Sequence, residues 1–458
     1  MNWLKKIFAP VDMTTGRPWE KILLFTFPML LGNIAQQLYN TVDSVVVGKY
    51  IGDNALAAVG SAGPIVNLLL VLFIGISVGA GIMVSQYFGG KKREELSRTI
   101  GNCIVLTAVA SVFIMIVATL AARPLLELLN TPDSIIDWCT SYLRIMFLGV
   151  AGMAYYNILC GVLRGMGDSV SALVYLVIAS ILNIILDVLF VAKFNMGVGG
   201  VALATAIAQG ISAILCVRKL MTMSEFFDFK VKYFKLDKNI ALNIVRLGLP
   251  SGVTQAIMSM AMLLVQSLTN SFGEQMIAAN VIVMRVDGFA MLPNFSFGTA
   301  MTTYAGQNVG AGKYDRVSKG AKQGTIMAMG ISAVITAIIV IFGKYLMGIF
   351  TDTASLVDLA MNMMRILAVG YIAVAVTQSL SGVMRGAGDT VTPMWISIVQ
   401  TIIIRVPLAY GMVYLTKSEA FPQGRRECIF ISLLISWILG ATLTAIFYRR
   451  GKWKKKAL

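Results

Sequence analysis

Gly161-Val-Leu-Arg-Gly-Met-Gly-Asp-Ser169 recurs 221 positions later as Gly382-Val-Met-Arg-Gly-Ala-Gly-Asp-Thr390. The same offset joins Gln86 to Gln307, Gly89 to Gly310, Arg144 to Arg365 and Asp168 to Asp389, while Pro28 and Pro250 stand one position further apart. One loop matched by chance would not hold its register across half a chain, so the sequence predicts two homologous halves. Within the motif, Gly-x-Gly-Asp reads as a tight turn whose aspartate caps the following helix. That gives Arg164 and Arg385 a place at a turn and no catalytic role.

The solvent of these halves follows from composition. The chain of 458 residues is 57% hydrophobic and 13% charged, with a mean hydropathy of +0.78, whereas soluble proteins are about 25% charged. A helix needs about 20 apolar residues to cross a hydrocarbon core, and charges, prolines and glycines cut this chain into about twelve such runs. A β-barrel would show short alternating segments in their place. The predicted fold is therefore an all-α integral membrane protein of about twelve transmembrane helices in two pseudo-symmetric six-helix lobes. The expected division is an N-terminal lobe over 1–217, a cytoplasmic linker over 218–241 and a C-terminal lobe with a basic tail over 242–458. With an even number of spans per half, an axis along the membrane normal relates the halves, an arrangement that transporters use.

Lysine and arginine set the orientation. With both termini in the cytoplasm, 27 basic residues fall in cytoplasmic segments and seven in the opposite loops. The expected location is the cell (plasma or inner) membrane, multi-pass, with the net charge of +16 serving lipid headgroups and not nucleic acid. The linker interleaves Lys230, Lys232, Lys235 and Lys238 with Phe226, Phe227, Phe229, Tyr233 and Phe234, which suits a segment along a membrane surface. Five cysteines without a CxxC pair and the absence of histidine argue against disulfides, zinc and imidazole chemistry.

Of 22 acidic residues, only Asp43, Asp187 and Asp287 fall well inside predicted spans. A carboxylate at a helix centre costs roughly 3 kcal/mol on insertion scales, so each is a functional candidate. Gln36, Tyr39, Asn40 and Asp43 share one helical face by their spacing, as do Asn183 and Asp187, and Thr205 and Gln209. Asn157 adds an amide from the fourth span. If these faces converge, the first half contains a pocket of two carboxylates, amides and a hydroxyl, suited to a hard cation such as sodium or to a proton. Thr205, Gln209 and Asn183 also have a plain reading as helix-packing contacts. Arg285, two residues from Asp287, lies on another face, whereas Arg405 could neutralise Asp287 from a different helix. Pro28 and Pro250, early in the first span of each half, allow those helices to bend.

The chain resembles the multidrug and toxic compound extrusion (MATE) family. The resemblance rests on the order and spacing of Leu38-Tyr-Asn-Thr-Val-Asp-Ser-Val-Val-Val-Gly48, Gln86-Tyr-Phe-Gly-Gly90, the Gly161 turn, Gly199-Gly-Val-Ala-Leu-Ala-Thr205, Gln307-Asn-Val-Gly-Ala-Gly312 and Arg385-Gly-Ala-Gly-Asp389. It implies a twelve-helix antiporter exporting organic, often cationic or amphiphilic compounds against a sodium or proton gradient. By similarity to the DinF-like branch, Asp43, Asn183, Asp187 and Thr205 form the cation site, linked to bending of the first span at Pro28. Gln36, Tyr39, Asn40, Asn157, Gln209, Arg285 and Asp287 are then cavity or supporting residues. The NorM-like branch carries a glutamate early in the seventh span, where this chain has Ser251-Gly-Val-Thr-Gln-Ala256. An ion site built on that acid is not expected here.

These readings imply no enzyme activity, no cofactor besides the coupling ion and no metal beyond Na+ at that site. The expected partners are small organic substrates and membrane lipids, not nucleic acid, and the expected state is a monomer. The alternative is a flippase or exporter of lipid-linked saccharides from the same superfamily. It would need a basic cavity, whereas only Arg144, Arg285, Arg365 and Arg405 lie within spans.

Overall fold

A computed structural model describes residues 9–128 and 131–456, with no side chains described at 40, 42–49, 53, 54, 56, 57, 60, 61, 64, 68 and 69. Among the described residues there is helix and no strand. The first half runs α1 (Pro18–Tyr50), α2 (Asp53–Gly89), α3 (Arg93–Leu128), α4 (Asp133–Leu148), α5 (Val150–Gly165), α6 (Ser169–Asp187) and α7 (Gly197–Met221). The second runs α8 (Lys238–Asn270), α9 (Glu274–Gly310), α10 (Tyr314–Gly348), α11 (Ala354–Ala368), α12 (Gly370–Gly386), α13 (Val391–Ile398), α14 (Val406–Leu415) and α15 (Glu427–Arg449).

Among the described residues ten segments are long and apolar enough to cross a membrane, with α6 counted together with the π-helical turn after it and α13 with α14, and α4–α5 and α11–α12, bent by 53° and 44°, bring the number to twelve if each pair is one span. Apolar side chains face outward as well as inward: Phe113 and Leu120 on α3 and Ile341 and Phe342 on α10 are all more than half exposed. Lipid is the solvent that tolerates such a surface. The chain is a multi-pass membrane protein.

The chain divides into two compact units, each made mainly of one half of the chain. Unit 1 comprises 1–12 and 27–252, and unit 2 comprises 13–26 and 253–458. The first stretch of α1 thus packs with unit 2 and the first stretch of α8 with unit 1. Each helix changes unit close to its proline, at Thr26–Phe27 beside Pro28 and at Gly252–Val253 beside Pro250. Within unit 1, α8 meets α2 through glycines: a Cβ on Gly79 would stand 2.0 Å from the Ile244 carbonyl oxygen, and one on Gly248 would stand 2.0 Å from that of Gly75. Spaced at small-x-x-x-small intervals, these glycines allow two backbones to touch where lipid supplies no hydrophobic drive.

The repeated motif is a turn followed by a capped helix in both halves. Gly167 and Gly388 have φ of 89° and 96°, a region that disfavours side chains. Asp168 then accepts from the Ser171 amide at 2.9 Å, and Asp389 from the Thr392 amide at 3.3 Å. Gln307, one member of another repeated pair, also has a structural task. Gln307 Oε1 accepts from the Met13 amide at 2.9 Å, and the Arg316 guanidinium donates to the Thr15 and Gly16 carbonyls at 2.7 Å each. In unit 1 the linker is held alike: Arg93 donates to the Ser224 and Glu225 carbonyls and pairs with Asp228 at 2.9 Å, and Asn102 donates to the Asp237 carbonyl.

Candidate functional site

In unit 1, α6 and α7 pack side by side and bring three of the predicted residues together. Asn183 and Asp187, one turn apart on α6, are 1% and 0% exposed. The Asn183 amide nitrogen is 3.4 Å from the Thr205 hydroxyl on α7, a long hydrogen bond. Among the described residues, the buried amide oxygens of Asn183 and Gln209 have no hydrogen-bond donor. Asp187 is the last residue of α6 before a π-helical turn, Val188–Lys193. Such turns widen a helix locally and recur at functional sites.

Gln36 and Asn157 line a cavity of about 120 Å³ between α1, α5 and α6 whose walls include Pro28, Asn33, Arg164 and Ser169. Asn183, Asp187, Thr205 and Gln209 are not among its lining residues. Asn157 also spends one amide hydrogen within its own helix, on the Met153 carbonyl at 2.8 Å. Tyr39 is half-buried. The side chains of Asp43 and Asn40 lie outside the described residues, and with them the expected approach of Asp43 to Asp187.

In unit 2, Asp287 is half-buried on α9 and accepts from the Tyr371 hydroxyl of α12 at 2.9 Å. Tyr371 is fully buried and in ring contact with Trp437 of α15, at 5.9 Å between centroids. Its carbonyl accepts from Asn294 at 3.3 Å, whose amide oxygen accepts from Ser332 of α10 at 2.8 Å. This chain of polar contacts through three helices was not read from the sequence. Arg405, which ends the π-helical turn Val399–Arg405, is the cationic neighbour of Asp287, and its Nε has no hydrogen-bond partner. Arg285 is exposed. All five cysteines are free and buried, and the Cys160 and Cys216 sulfurs lie 3.8 Å apart.

Comparison with known proteins agrees with this architecture. A family model described as MatE matches residues 28–189 and 250–411. The chain is 29% identical over 449 residues to the probable multidrug resistance protein YoeA of Bacillus subtilis, covering 96% of this chain and 95% of that one. It is likewise 29% identical over 447 residues to the probable multidrug resistance protein YpnP of the same organism, with 98% of each covered. Among solved structures, a multidrug resistance MATE family transporter in an outward-facing conformation superposes with a TM-score of 0.90 at 24% identity, over 98% of this chain and 99% of that one.

Proposed function

The chain belongs to the MatE family, and on that premise we propose that it is a multidrug antiporter, exporting organic, cationic or amphiphilic compounds by alternating access in exchange for sodium ions or protons. The observation that carries this reading is the fully buried Asp187 carboxylate, one helical turn from the Asn183–Thr205 pair. An ionisable group held in an apolar bundle is costly, and the cost is offset where an ion or proton binds. The donors at hand are a carboxylate, amide oxygens and a hydroxyl, the hard ligands that sodium takes. The multidrug names of the relatives point to the same function.

In this reading the cation occupies the site from outside, favours drug release outward and leaves inward, and the empty carrier resets. Coupling requires that cation and drug each bind the two states unequally. Pro28 has no amide hydrogen for the Leu24 carbonyl, so α1 bends there at low cost. Asp43 joins Asp187 as the second coupling carboxylate, and Asp287 is a drug contact in unit 2. The protein works as a monomer in the cell membrane with both termini cytoplasmic and no cofactor besides the coupling ion.

The test is drug uptake into everted vesicles under separately imposed sodium and proton gradients. One gradient should drive uptake in the wild type and neither in Asp187→Asn or Asp43→Asn, with both variants folded and membrane-inserted. Wild-type uptake in both variants would refute the coupling assignment. Indifference of the wild type to both gradients would favour the saccharide-lipid flippase.

A further inference from the structure

We propose that the cavity between α1, α5 and α6 of unit 1 is a binding site for a small inorganic anion. Its size limits the ligand: about 120 Å³ holds several waters at about 30 Å³ each, and falls well below the roughly 300 Å³ at which drug-sized sites begin. Its charge sets the sign. Among the residues lining it there is no aspartate or glutamate, and Arg164 is the one formal charge.

The Arg164 guanidinium makes no ion pair among the described residues. The nearest candidate in sequence, Asp168, is 1% exposed and committed elsewhere, to Lys219 at 3.3 Å, the Ser171 amide at 2.9 Å and the Ser171 hydroxyl at 2.7 Å. A cation sheltered by a protein wall and without a counter-ion attracts an anion from solution. A second, independent feature points the same way. Ser169 lines the cavity, is 2% exposed, and its hydroxyl has no hydrogen-bond partner. It is the first residue of α6, and the helix end there is already capped by Asp168, so the hydroxyl is left to an occupant of the cavity. The other polar side chains on the walls, Asn33, Gln36, Tyr156, Asn157 and Cys160, bring no carboxylate. A guanidinium and a donor hydroxyl, with no acid among the lining residues, form an anion cradle. Across it stand Pro28 and Gln36 of α1, so an occupant would touch the helix that carries the proline.

Binding of radiolabelled chloride, and separately of radiolabelled phosphate, to the purified full-length protein tests this directly, because the readout does not depend on transport. Saturable binding of either ion is expected, and the pair of probes tells a halide site from an oxyanion site. Arg164→Gln should weaken it by about tenfold or more, the scale of a lost charge-assisted contact, and Ser169→Ala by about fivefold. Ser169→Ala preserves charge and nearly preserves volume, so it remains decisive if Arg164→Gln fails to elute as a folded species. No saturable binding of either anion overturns the proposal, as does binding that both folded variants retain at wild-type affinity.

Discussion

At the residue scale, the second half holds its one acid inside a span by a partner that neither composition nor spacing discloses. Asp287 stands out in sequence because a carboxylate interrupts an apolar run. Tyr371 does not, since a tyrosine in a span is unremarked and lies 84 positions away. The hydroxyl is nonetheless the group that makes a half-buried carboxylate tolerable. Tyr371→Phe should lower stability by about 1–2 kcal/mol, because it leaves an acceptor unmatched. Asp287→Asn, whose amide oxygen accepts the same hydrogen bond, should cost less. Thermal unfolding of the purified variants gives the comparison, and no loss in Tyr371→Phe would show that Tyr371 contributes by packing against Trp437 and not through its hydroxyl.

At the scale of elements, glycine position decides which helices touch. Gly79→Ala places a methyl group 2.0 Å from the Ile244 carbonyl oxygen, a contact that no rotamer relieves, so α2 and α8 must move apart. Overpacking of that kind costs about 1–3 kcal/mol. Gly330, inside α10, has nothing within 4 Å of the same added carbon. Gly330→Ala should therefore be neutral or stabilise by up to about 1 kcal/mol through helix propensity. Melting temperatures of the two variants should move apart, and a shared direction would mean that propensity outweighs packing at both sites. The prolines belong to this scale too. Pro28 and Pro250 are read from the sequence as places where a helix can bend, but that α1 and α8 each change unit beside them was not legible. Packing partners are set in three dimensions, and a repeat in sequence records only common ancestry of the halves.

At the scale of the whole molecule, the linker is a docked segment. Arg93 holds the Asp228 carboxyl below the usual carboxylate range, first by its hydrogen bond and then by its charge. A carboxyl with a lowered folded value contributes its full share above about pH 3.9, its ordinary value, and loses it as pH falls through the lowered one. Linker docking should therefore be constant from about pH 6 to 9. Tryptic cleavage at Lys230 and Lys232 measures this: Asp228→Asn should be cut a few-fold faster than wild type at neutral pH. An equal rate would show that the Arg93 contacts to the Ser224 and Glu225 carbonyls suffice. The charge pattern read from the sequence located this segment, but it could not show that backbone carbonyls, which every residue possesses, would be Arg93's main targets.

The sequence by itself determined that the chain is helical, spans a membrane repeatedly, is built twice and carries Asn183, Asp187 and Asp287 where acids and amides are costly. Those properties are local, since hydropathy, turn chemistry and helical periodicity act over a few to about 20 residues. Tertiary structure alone decided that Asn183 meets Thr205, that Gln36 and Asn157 line a cavity with Arg164, and that Asp287 leans on Tyr371. Which helical faces meet depends on side-chain packing between segments far apart in the chain, and the period of one helix contains no record of its neighbour.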